Sequence, residues 1–186
     1  MSNSKGWSKI ARRIRVPLGF LFAILYIWLA HPTSKSLEIG MAFIGLGLFV
    51  RAAASGHVRK NEQLAMTGPY AYTRNPLYLG SIIIAIGFGI ASMNWWVAAI
   101  IIVLFLAIYL PVIRGEEEFL RGKFPEFDQY AKEVPRLFPR LTTSQKGGGF
   151  SWDLYLKHRE YNALIGSLIL LAILVAKLVW WKAGMH

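Results

Sequence analysis

The sequence predicts an all-α, polytopic membrane protein of about five transmembrane helices, and three observations carry that expectation. Apolar residues make up 55% of the chain and aromatic residues 14%, with a positive mean hydropathy. That leaves too little polar surface to cover a soluble globule of this size. The apolar residues gather into runs near the roughly 20 residues that a spanning helix requires. They are Ile14 to Ala30, Leu37 to Ala54, Asn94 to Ile113 and Tyr161 to Trp181, with a shorter fifth from Leu77 to Ser92. The basic residues are sorted by side. With the N-terminus cytoplasmic, only Lys35, Lys177 and Lys182 of the 21 fall outside, which is the asymmetry that cytoplasmic loops show. The net charge of +11 is therefore topological, and no nucleic-acid partner is expected. The chain has no cysteine, so it offers neither a disulfide framework nor a thiolate metal site, and no metal is expected.

Taken in order, Met1 to Arg15 is polar and then basic. The apolar run behind it ends at Trp28, His31 and Pro32 without a small-residue cleavage site, so it reads as a retained first helix. The short turn from His31 to Ser36 predicts that helices one and two pack as an antiparallel hairpin. Helix two carries Gly40, Gly45, Gly47 and the small residues Ala52 to Ser55, which allow close helix approach in lipid. A bundle this small can form a homodimer, and this glycine-rich face is the first candidate contact. Arg51, near the inner end, reads as a snorkelling side chain.

A polar stretch holding His57 and Glu62 leads into helix three, which opens within Gly68 to Gly80 and ends at Ser92. Met93 and Asn94 make a turn so short that helices three and four must be neighbours. Trp95 and Trp96 sit where an interfacial aromatic belt places them, and Pro111 is expected to kink helix four. From Arg114 to Glu160 the chain is charged and inner-facing. Leu120, Phe124, Phe127, Tyr130 and Val134 recur at three- and four-residue spacing, which predicts an amphipathic cytosolic helical segment, interrupted near Pro125 and stopped at Pro135. Ser144 to Gly149 reads as a flexible linker, and the last helix ends on Trp180 and Trp181.

Gly68 to Gly80 is poor material for a core helix and suitable material for a site. It holds two prolines, two glycines, the tyrosines Tyr70, Tyr72 and Tyr78, and Arg74. Glu116, Glu117 and Glu118 lie at the inner end of helix four, beside Arg74 and Asn75. The plain account of three acids is that they open a helix, where the N-terminal dipole favours them. The functional account is a convergence of arginine and carboxylates at a membrane interface, where unpaired acids are disfavoured.

Arg74-Asn75-Pro76-Leu77-Tyr78-Leu79-Gly80 resembles the RHPxYxG signature of the isoprenylcysteine carboxyl methyltransferases and their bacterial and archaeal relatives, with Asn75 where histidine is usual. Glu116-Glu117, followed by Leu120, Phe124, Phe127, Tyr130 and Val134-Pro135-Arg136, is similar to a second segment of that family. The resemblance runs from about Arg51 and His57 to about Pro139. It implies an integral membrane methyltransferase that uses S-adenosylmethionine on the cytoplasmic face and takes a lipophilic acceptor from the bilayer; phospholipid N-methyltransferases share this arrangement. On this resemblance residues 1–186 form one membrane domain, with helices one and two in 1–54, the methyltransferase-like region in 55–140, and a linker and extra helix in 141–186.

The resemblance implies that His57, Tyr70, Arg74, Asn75, Tyr78, Leu79, Gly80, Glu116 and Glu117 bind the cofactor, with Arg74 and Glu117 as the catalytic pair. The chemistry agrees. The planar fork of Arg74 suits the cofactor's carboxylate, and Glu116 or Glu117 suits its ammonium and sulfonium. A carboxylate acceptor needs no base, whereas an ammonium acceptor must lose a proton, for which His57 and Glu117 are available. Two other readings stay open: a sterol-type reductase using NADPH, and a non-catalytic lipid-binding membrane protein. In the reductases an acidic residue follows the signature glycine, where this chain has Ser81, and Arg-Asp stands in place of Glu116-Glu117.

Overall fold

The computed structural model describes residues 2–59, 62–142 and 148–184, and among these every regular element is helical. Lys60 and the linker residues Ser144 to Gly147 lie outside the described residues, as do the side chains of Lys5, Lys9, Arg12 and Arg15. The helices are α1 (Ser2–Leu29), α2 (Ser34–Ser55), α3 (Pro76–Ser92), α4 (Trp95–Lys123), α5 (Phe127–Glu133), α6 (Trp152–Lys157) and α7 (Tyr161–Ala183). A 3-10 turn, Gly68–Ala71, precedes α3. Of these, α2, α4 and α7 are long and apolar enough to cross a membrane, while Pro17–Leu29 and Pro76–Ser92 are shorter apolar helices. Their outward faces carry Phe20, Ile24, Phe49, Ile102, Leu168 and Trp180, all exposed, a surface that only lipid can cover without cost.

The tightest helix contact is α2 on α3, and glycines make it. A Cβ on Gly40 would lie 2.7 Å from the Gly87 carbonyl oxygen, and one on Gly47 would lie 2.6 Å from that of Gly80. Two pairs of backbones thus touch directly, as small residues permit in lipid. Gly45 points elsewhere, with nothing within 4 Å. Gly47→Leu is therefore expected to force the pair apart and cost about 1–3 kcal/mol. Gly45→Ala gains about 0.5–1 kcal/mol of helix preference. Thermal unfolding of the two variants in detergent checks this, and equal midpoints would refute the interlock. Below the glycines Tyr26 donates its hydroxyl to the Phe88 carbonyl at 2.9 Å, within a core of Ile44, Phe88, Val97 and Leu174.

Two expectations are corrected. Helix α1 does not form a simple hairpin with α2: it packs chiefly along α4, with Ile14 and Leu18 against Ile108 and Val112. And no new helix opens at Arg114. The fourth helix continues to Lys123, so the acids stand inside a long helix and away from the N-terminus whose dipole would favour them. The amphipathic segment is consequently split between the end of α4 and the short α5. Pro111 causes no break, because a single π turn over Phe105–Tyr109 widens the helix just where the proline ring would clash.

At one end of the bundle the turns are tied together: the His31 N–H donates to Ser92 at 2.8 Å, and Asn94 Nδ2 to Leu29 at 2.9 Å. Lys177 Nζ reaches the Ile27 carbonyl at 2.7 Å. The opposite end holds the motif residues.

Candidate functional site

The loop before α3 is built to be held. Gly68 has φ +58°, and a side chain there would run into the His57 ring, so glycine is needed both for conformation and for space. The Thr73 hydroxyl donates to the carbonyls of Arg136 and Leu137 at 3.1 and 3.2 Å. The Arg74 N–H donates to the Pro135 carbonyl at 2.9 Å and the Arg140 N–H to that of Tyr72 at 3.0 Å. The two sequence motifs are therefore laced together through backbone.

Glu117 is the junction. It is buried, at 4% exposure, and accepts from Asn75 Nδ2 at 3.0 Å on one oxygen. Arg136 donates to the other oxygen through Nε at 3.0 Å and Nη2 at 2.8 Å. Asn75 Nδ2 also donates to the Arg136 carbonyl at 3.1 Å. A neutral imidazole has a single N–H and could not serve both acceptors, which gives Asn75 its own logic where the signature usually has histidine. Arg74 Nε stands 3.6 Å from Glu117, beyond a hydrogen bond, and is a buried donor without a partner. One residue back on the helix, about 100° round, Glu116 accepts from the Tyr78 hydroxyl at 2.9 Å.

These side chains surround a cavity of about 720 Å³, within the range of ligand pockets. Its lining combines polar side chains, Arg51, Arg74, Asn75, Glu116, Glu117 and Glu160, with apolar and aromatic ones, among them Leu64, Tyr70, Leu120, Phe124 and Phe127. Burial above all pushes the Tyr70 phenol well above its ordinary range, helped by Tyr130, Glu116 and Glu160. Tyr130, whose hydroxyl donates to the Tyr70 carbonyl at 2.7 Å, is raised mainly by burial too. Both stay neutral, as donors and as surface.

Of the residues expected at the site, Tyr70, Arg74, Asn75, Tyr78, Glu116 and Glu117 line this cavity. Three others are placed elsewhere. His57 sets its ring nitrogens 2.7 Å from the Ala53 carbonyl and 3.2 Å from that of Gly148, and is not part of the lining. Gly80 faces α2, against Gly47 and the stem of Arg51, and Leu79 lies off the wall. Arg51 and Glu160 were not expected there. Arg51 donates through Nε and Nη2 to Glu160, the closest approach being 2.7 Å, and through Nη1 to Ser81 and the Leu77 carbonyl. It does not snorkel. The available signal was a pair of opposite charges at the ends of two spanning runs, each of which has a plain explanation alone.

The family model for phospholipid methyltransferases matches residues 14–126. The cobalt-zinc-cadmium resistance protein CzcN of Cupriavidus metallidurans is 33% identical over 128 residues, 68% of this chain and 58% of that protein. The nickel-cobalt-cadmium resistance protein NccN of Alcaligenes xylosoxydans xylosoxydans is 40% identical over 117 residues, 63% of this chain and 54% of that protein. The protein-S-isoprenylcysteine O-methyltransferase of Schizosaccharomyces pombe is 27% identical over 154 residues, 76% of this chain and 62% of that protein. The chain thus spans between half and two thirds of the length of these relatives. No solved structure matches it.

Proposed function

The chain belongs to the phospholipid methyltransferase family, and from that premise we propose that it transfers a methyl group from S-adenosylmethionine to a lipophilic acceptor. The observation that carries this reading is the presence of Arg74 and Glu116 together in the lining of one cavity. A cation, an acid and aromatic side chains around one space fit a ligand that joins an amino acid to a nucleoside. Arg74 would hold the carboxylate, Glu116 the ammonium, and Tyr70, Phe124 and Phe127 the adenine. Glu117 has both oxygens engaged by Asn75 and Arg136, so its part is to fix the cations. When bound, the cofactor supplies an electrophilic methyl on a sulfonium. The chain's own contribution is alignment and the exclusion of water by Leu120 and its neighbours.

An anionic carboxylate acceptor needs no proton acceptor in this site, whereas an amine does. Five spans with the N-terminus and the cavity on the cytoplasmic side belong to the same proposal, supported by the distribution of Lys and Arg. A homodimer through α2 would use the face around Gly45, because Gly40 and Gly47 are taken by α3. The metal-resistance names of two relatives have no counterpart in a cluster of three His, Cys, Asp or Glu side chains among the described residues, so the reading rests on the organic site.

The test is ligand-dependent stability. S-adenosylmethionine at 100 times its dissociation constant is expected to stabilise purified protein by about 2.7 kcal/mol, and NADPH to leave it unchanged. The reverse result would install a reductase, and no response to either a lipid-binding protein. Membranes incubated with methyl-labelled cofactor then show whether label enters lipid, protein or a small molecule.

A further inference from the structure

A second, smaller cleft of about 200 Å³ lies between α2 and α7, walled by Leu48, Phe49, Ala52, Tyr155, Ala163 and Leu164. Phe49 is 71% exposed and Leu164 41%, so its outer side meets lipid. Two residues, Arg51 and Glu160, line both this cleft and the large cavity. Their ion pair is thus the partition between an apolar slot open to the bilayer and the polar site. Only one half of the pair is anchored to the catalytic wall: Arg51 is held on α3 through Ser81 and Leu77, whereas Glu160 stands at the head of α7.

Arg159, just before that helix, has φ +53°, a left-handed conformation sparsely populated by residues other than glycine. The helix is tied down farther along, where Leu174 is buried in the core and Lys177 reaches the Ile27 carbonyl, while at the end that carries Glu160 the side chains of Tyr161, Asn162, Leu164 and Ile165 are exposed. Glu160 also lies beyond the family match, which ends at residue 126.

Resting on the methyltransferase reading, we infer that the α2–α7 cleft admits the hydrocarbon chain of the acceptor from the bilayer, and that Arg51 and Glu160 form a latch between cleft and cavity. The small side chains Ala52 and Ala163 leave the slot, whose volume of about 200 Å³ takes part of one hydrocarbon chain and not the two of a diacyl lipid. Withdrawal of Glu160 with the inner end of α7 opens the partition while Arg51 stays in place.

The test uses full-length protein in phosphatidylcholine nanodiscs with two photoreactive probes, a diazirine-bearing palmitate and a diazirine-bearing phosphatidylcholine. Palmitate is expected to label peptides covering 48–52 and 155–164 in preference to the rest of the lipid-facing surface. Ala163→Phe fills the slot and lowers that labelling by about tenfold, with S-adenosylmethionine affinity held within about twofold because the cavity is untouched. Glu160→Gln extends labelling inward to the peptide covering 68–81. Equal labelling by phosphatidylcholine, or none at the cleft, would make it ordinary lipid-facing surface and overturn the route. Labelling by Glu160→Gln that stops at the cleft would overturn the latch. Should the cofactor fail to bind wild-type protein, the methyltransferase reading falls, and the labelling still decides the cleft.

Discussion

Arg74→Ala is expected to weaken S-adenosylmethionine binding by about 10- to 100-fold, the range of one or two charge-assisted hydrogen bonds at roughly 1.5–3 kcal/mol. The protein should remain folded. Arg74 contributes its backbone N–H to the Pro135 carbonyl, which alanine retains, while its Nε satisfies no partner and stands 3.6 Å from Glu117. Its removal relieves a buried unmet donor and leaves Glu117 with Asn75 and Arg136. Arg74→Lys keeps the charge without the fork and should fall between the two. The control is Lys182→Ala, which deletes an exposed hydrogen bond to Ser34 at the opposite end of the bundle, outside the lining. Calorimetric titration in detergent gives the affinities, with circular dichroism on the same samples for the fold. Unchanged affinity in Arg74→Ala would remove the arginine from the site.

What the sequence made legible is what depends on neighbours in the chain. The loop from Gly68 to Gly80 stands out because its prolines and glycines break the apolar period, and the two-residue turn at Met93 and Asn94 obliges α3 and α4 to pair. Arg74 and Glu117 therefore meet as expected. The second helix likewise yields its glycine contacts, since small residues at helix interfaces are a local signal, although which of them meet a backbone depends on α3.

The unreadable part is non-local. Arg51 and Glu160 are separated by 109 positions, and nothing short of the docking of α7 brings them together, so Arg51 looked like a side chain reaching for headgroups. The pairing of α1 with α4 is of the same kind, a choice between packing partners that no loop length decides. The run of acids misled for a different reason. The apolar run stops at Ile113, and a spanning run of apolar residues does not show that the same helix continues into the charged stretch to Lys123; the single π turn before Pro111 leaves no compositional trace either. His57 lies outside the cavity lining because its ring is held by the carbonyls of Ala53 and Gly148, and closeness in sequence does not say where a ring points.

Glu117→Ala should show the opposite behaviour to Arg74→Ala, losing stability before it loses function. Glu117 is buried inside α4, where no helix N-terminus favours a negative charge, so this carboxylate persists because its partners hold it. Removing it leaves Asn75 Nδ2 with only the Arg136 carbonyl, Arg74 without the anion 3.6 Å away, and Arg136 without the oxygen that its Nε and Nη2 share. Breaking a buried ion pair costs about 3–5 kcal/mol. Arg136 is 41% exposed and can turn to water, so a loss of roughly 2–4 kcal/mol is expected. On the scale of a chain this long, that lowers the melting temperature by on the order of 5–15 °C. Glu117→Gln keeps an acceptor for Asn75 and should lose less. Arg136→Met in the Glu117→Ala background removes one stranded cation, and a double-mutant cycle should recover part of the loss as a coupling between the two positions of about 0.5–3 kcal/mol. Cofactor binding by whatever fraction stays folded is then limited by Arg74, whose guanidinium has lost the carboxylate that positioned it. Additive losses in the cycle would show that Glu117 and Arg136 act independently, and the lacing of the two motifs would have to reside in the backbone contacts of Thr73 and Arg74 alone.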